Sequence, residues 1–73
     1  MPMRIAVGSV SNAMRGKRLL EQHGIRAYVR RYASAEDHGC GYSLYLPHTH
    51  GEAIRWLNEG GVHGVPYEER DGG

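Results

Sequence analysis

The chain has 73 residues, 40% of them apolar, a net charge of +1, eleven glycines, five tyrosines, one tryptophan, no phenylalanine and a single cysteine. That length leaves room for one domain with one small core, and the near-neutral charge offers no global case for a polyanionic partner. No apolar run approaches the ~20 residues of a membrane span, no apolar leader opens the chain, and a lone cysteine excludes an internal disulfide, so a cytoplasmic protein is expected.

Arg4-Ile5-Ala6-Val7 is a short apolar run closed by Gly8, the pattern of a buried strand near residues 3–8. Ser9 follows as an N-cap, since its hydroxyl can accept an amide of the next turn. Ala13, Met14, Leu19 and Leu20, set among Arg15, Lys17, Arg18, Glu21 and Gln22, predict an amphipathic helix over 10–23. Gly16 costs that helix roughly 1 kcal/mol relative to Ala and permits close approach to a sheet. Gly24-Ile25 stops it, with glycine at the left-handed position and an apolar residue after it.

Ile25, Ala27 and Val29 alternate with Arg26, Tyr28 and Arg30, which predicts a strand over 25–33 with one wet face. Ser34 to Gly39 reads as a polar turn. Tyr42, Leu44 and Leu46 alternate with Ser43 and Tyr45 in a third strand, over 41–46, that Pro47 ends. Thr49-x-x-Glu52 has the form of a capping box and predicts a helix over 50–59 with Ala53, Ile54 and Leu57 on one side. Gly60-Gly61 closes that helix, and Val62 is the place for a short final edge strand. A single domain of residues 1–62 with a loose polar tail over 63–73 is expected.

The order β-α-β-β-α, with room for that last strand, predicts an α+β fold of ferredoxin-like or split β-α-β type. The right-handed crossover rule makes the first two strands parallel and puts the third between them, antiparallel to both. The turn bearing Asp37-His38-Gly39-Cys40-Gly41 then reaches the end of the sheet where the first strand enters the first helix, at Gly8-Ser9. Helix amides and the helix dipole favour negative charge at that end. A thiolate beside them would be stabilised, and the thiolate is the reactive form of cysteine.

Four roles are open to Cys40: to carry a group, to attack a substrate, to share a metal, or to fill a buried corner. Gly39 and Gly41 on either side leave steric access to its sulfur. A hydrolytic nucleophile would need a positioned base and an oxyanion site, and His38 is two residues away. His38-x-Cys40 and His48-x-His50 are ligand-like pairs without the spacing of a zinc finger. Residues 1–40 hold seven basic and three acidic side chains, net +4, while residues 41–73 are net −3, which allows a basic face near the cysteine. Arg26, Tyr28, Arg30 and Tyr32 interleave cations and aromatics along one strand, a surface able to contact RNA. A wet sheet face or a homodimer interface is the plainer reading of it.

Gly8-Ser9 before a helix, Leu19-Leu20, the Gly24-Ile25 stop and Cys40-Gly41 heading a Leu-x-Leu strand together resemble a small bacterial family of selenium/sulfur carrier-like proteins. The resemblance covers residues 4–62 in one register. Cys40, Gly41 and the Ser9 cap match its recurrent pattern, whereas His38-Gly39 stands where that family usually has serines. It implies a carrier rather than an enzyme, holding sulfur or selenium on Cys40 as a persulfide or selenopersulfide, with no cofactor. Gly8, Ser9, His38, Gly39 and Gly41 would support that cysteine. The partners it implies are a protein donor and acceptor, a desulfurase-like or selenium-metabolism enzyme; the composition adds no membrane and does not favour nucleic acid. The alternatives are a noncatalytic RNA- or protein-binding module, or a metal-handling protein using Cys40 and His38.

Overall fold

The computed structural model describes residues 1–33 and 40–67. Among these residues six elements follow one another: β1 (Met3–Gly8), α1 (Val10–Gln22), β2 (Tyr28–Ala33), β3 (Cys40–Leu46), α2 (Ala53–Glu59) and β4 (Val65–Tyr67). The strands make one antiparallel sheet in the order β2-β3-β1-β4. β1 and β2 run parallel with β3 between them, as the crossover rule requires, and β4 completes the ferredoxin-like β-α-β-β-α-β arrangement. No described helix is long and apolar enough to cross a membrane.

Strand alternation sorts the sheet into two faces. Ile5 and Val7 of β1 and Leu44 and Leu46 of β3 are buried in one core with Ala13 and Leu20 of α1 and Ala53 and Leu57 of α2. Tyr42 packs against this core, while Tyr28 and Tyr45 share the opposite face. α1 meets the sheet through Ala13, Gly16 and Leu20, not through Met14, which is 63% exposed. Positions 13, 16 and 20 align on one stripe of an α-helix, and position 14 is turned off it. A Cβ on Gly16 would lie 2.8 Å from Leu44 Cδ1 and 3.0 Å from Leu57 Cδ2, so the missing side chain is what lets the helix settle this low.

Both helices end in the same way. Past α1, Gly24 takes φ +76°, the Ile25 N–H donates to Leu20 O at 2.9 Å and the Gly24 N–H donates to Glu21 O at 3.0 Å. Past α2, Gly61 takes φ +84°, the Val62 N–H donates to Leu57 O at 2.8 Å and the Gly61 N–H donates to Asn58 O at 3.1 Å. Each is a Schellman motif with an apolar pair, Leu20/Ile25 or Leu57/Val62, buried across it. The two β-α-β halves of the chain are thus built on a shared local pattern that is too short to register as a sequence repeat.

Three expectations about boundaries change. β2 begins at Tyr28, because Ile25 is occupied in closing α1, although Ile25 and Ala27 are buried as the alternation requires. The Thr49 capping box does not form: the Thr49 hydroxyl donates to Met1 O at 2.8 Å, and α2 starts at Ala53 with Glu52 as an N-cap that makes no side-chain cap hydrogen bond. The folded chain also continues past residue 62. β4 pairs with β1 through Arg4–Tyr67, Ile5–Pro66 and Ala6–Val65, so residues 65–67 are sheet rather than tail.

Candidate functional site

The β1–α1 junction is held by local hydrogen bonds. Gly8 has φ +94°, at a register shift in the β1–β3 ladder between Ala6 and Gly8. Ser9 is the N-cap of α1, its Oγ accepting the Asn12 N–H at 3.1 Å. The Asn12 side-chain amide donates back to Val7 O at 3.2 Å, tying the helix to the strand it leaves. With Asn12 satisfied by the cap, the amides of Val10 and Ser11 remain as first-turn donors with no partner inside the helix.

The head of β3 lies beside this junction. Tyr42 pairs with Gly8, and a Cβ on Gly41 would stand 3.2 Å from Gly8 O, so the two glycines let the strand ends close together. Cys40 is the residue before Gly41 and the first of β3, opposite Ala33 of β2. The backbone of three expected site residues, Gly8, Ser9 and Gly41, therefore gathers where Cys40 enters the sheet. His38 and Gly39 lie outside the described residues, and with them the proposed His38–Cys40 pair.

Among the described residues no group of three or more His, Cys, Asp or Glu is placed to hold a metal ion. His48 is exposed and His50 half-buried, each close in sequence to Thr49 at the approach to α2. His23, at the C-cap of α1, stacks on Trp56 of α2 with ring centroids 3.9 Å apart and planes 7° off parallel. That ring contact gives the histidine a packing role between the helices.

The face of the sheet away from the helices carries a second cluster. Arg4 of β1 and Arg30 of β2 reach the Tyr45 ring from the strands on either side, at 5.2 and 4.8 Å from its centroid. Beneath them Ser43 is buried and accepts a hydrogen bond from the Tyr67 hydroxyl at 3.0 Å. The expected Arg26–Tyr32 strip contributes Tyr28 and Arg30 to this face; Arg26 precedes β2 and is exposed, and Tyr32 takes the ladder position opposite Gly41. Arg4, Ser43 and Tyr67 were not singled out from sequence. Alternation alone points to the first two, but only the pairing of β4 with β1 brings Tyr67 to them.

Comparison with known protein families, curated proteins and solved structures finds no match for this chain.

Proposed function

We propose that this protein is a cytoplasmic carrier of sulfur or selenium, held on Cys40 and passed from a protein donor to a protein acceptor. The observation that supports it best is the Gly8–Gly41 approach, which brings the backbone at the head of β3 against the β1–α1 junction. Amides and dipole at a helix start favour an anion, and thiolate is the form of cysteine that exchanges sulfur. In loading, the Cys40 thiolate attacks the outer sulfur of a donor persulfide. A new S–S bond forms as the donor's S–S bond breaks, the donor leaves as a thiolate, and one sulfane sulfur moves without net oxidation. A selenium atom in the outer position would transfer by the same exchange, and release to the acceptor repeats the step in reverse order.

The test pairs reactivity with cargo. Iodoacetamide modification of Cys40 should be faster at neutral pH than that of a free thiol with pKa ~8.5, its rate rising with pH to a plateau reached earlier. Incubation with a cysteine desulfurase and cysteine should add one sulfur to the intact mass, and Cys40→Ser should abolish that adduct while leaving the melting temperature within a few degrees. An unreactive Cys40, no adduct, and a Cys40→Ser variant that unfolds would assign the cysteine to the core and end the carrier reading.

A further inference from the structure

We infer that the sheet face opposite the helices is a binding site for single-stranded nucleic acid. The register sets Tyr28 of β2, Tyr45 of β3, Arg4 of β1 and Tyr67 of β4 directly opposite one another, so four planar side chains form one row across the sheet. With strands about 4.8 Å apart, that row spans roughly 14 Å. Tyr28, at its outer end, is 44% exposed. The adjacent row runs Arg30, Ser43, Ala6, Val65, and its small central residues leave a low floor beside the rings. A cleft of about 70 Å³ opens there, lined by Arg4, Arg30, Arg31, Ser43, Tyr45 and Tyr67.

Each part suits one component of an unpaired strand. Unstacked bases lie on tyrosine rings and on guanidinium planes, which is how single strands are held without sequence readout. Tyr45 fixes the Arg30 guanidinium by a ring contact, so less freedom is lost when that group meets a phosphate. The charge distribution favours the same occupant. Among the described residues the acids are Glu21, Glu52 and Glu59, all on or capping the helices, and two of them accept hydrogen bonds from Lys17 and Arg55. Among the described residues, then, the open face carries Arg4 and Arg30 and no acid, while Arg15, Arg18 and Arg55 share the helices with those acids. A second copy docking by this face would set arginines against arginines, and an acidic protein surface would answer the cations but leave the row of rings unused. The row crosses β3 five residues from Cys40, about 17 Å along the strand, so the inference stands apart from the carrier reading.

Fluorescence anisotropy at low salt with labelled ten-nucleotide oligouridine and oligothymidine, beside a hairpin duplex, tests it. Both single strands should bind saturably and the duplex at least tenfold more weakly, because its bases are already stacked; a preference for oligouridine would mark RNA as the ligand. Tyr28→Ala and Arg30→Gln, both at exposed positions, should each lower affinity about fivefold or more with unchanged melting temperature. Arg55→Gln on the helical layer should change nothing. For two or three phosphate contacts the log–log salt slope should fall between about −1.4 and −2.1. No binding at ~100 µM protein, binding indifferent to both variants, equal binding of a polyglutamate peptide, or a dimer in sedimentation that the same two variants dissociate would each overturn the inference.

Discussion

Single residues decide how closely the layers of this domain meet. Gly16 is the clearest case, since two effects of similar size oppose each other there. Alanine in a helix interior is favoured over glycine by about 1 kcal/mol. Its Cβ, however, would stand 2.8 Å from Leu44 Cδ1 and 3.0 Å from Leu57 Cδ2, and both leucines are fully buried. Overpacking of that kind costs about 1–3 kcal/mol. Gly16→Ala should therefore be destabilising by up to about 2 kcal/mol in urea unfolding, despite the better helix former. Gly51→Ala, with nothing within 4 Å of the new Cβ, should be neutral in the same measurement. If Gly16→Ala stabilised the protein, the helix would have to ride higher on the sheet than described.

At the scale of elements, what a segment settles locally was legible in the sequence, and what a distant segment settles was not. The Ser9 cap, the Gly24-Ile25 stop and the alternation of β3 depend on neighbours within a few residues, and each is found where the pattern put it. The capping box failed because α2 starts at Ala53, which leaves Thr49 outside the cap position; its hydroxyl instead donates to Met1 O, a partner 48 positions away that no local pattern announces. β4 was read as tail because His63-Gly64-Val65-Pro66 carries loop residues; it is a strand only through pairing with β1, at a sheet edge where proline is tolerated. The candidate sites divide in the same way. The approach of the head of β3 to Gly8 followed from topology, whereas the row of planar groups needed the register of all four strands. Two substitutions test this division. Thr49→Ala should cost at most about 1 kcal/mol, by freeing the chain start rather than unwinding α2. Gly61→Ala should cost about 1–2 kcal/mol, because φ +84° places a Cβ against the following carbonyl.

For the molecule as a whole, the last strand closes both faces of a thin sheet. On the core side Gly64 packs so tightly that a Cβ would sit 2.7 Å from Ile5 Cγ2 and 3.2 Å from Leu57 Cδ1. On the open side the Tyr67 hydroxyl satisfies Ser43, which is 1% exposed. Without β4, β1 would become an edge strand, with the ladder groups of Arg4 to Ala6 unpaired and Ser43 without its donor. A few ladder hydrogen bonds at about 0.5–1.5 kcal/mol each, with the lost packing on Ile5, amount to a large share of the stability available to a core this small. A chain ending after Tyr67 should keep the fold, and one ending after Val62 should melt at least about 10 °C lower or be unfolded at room temperature. Circular dichroism melting of the two forms measures the difference. Equal melting temperatures would mean that three strands and two helices suffice and that β4 only decorates the sheet. If the shorter form is folded but destabilised, it separates the two surfaces: Cys40, at the far end of β3, should still accept sulfur, while the nucleotide row, deprived of Tyr67, should bind a single strand more weakly.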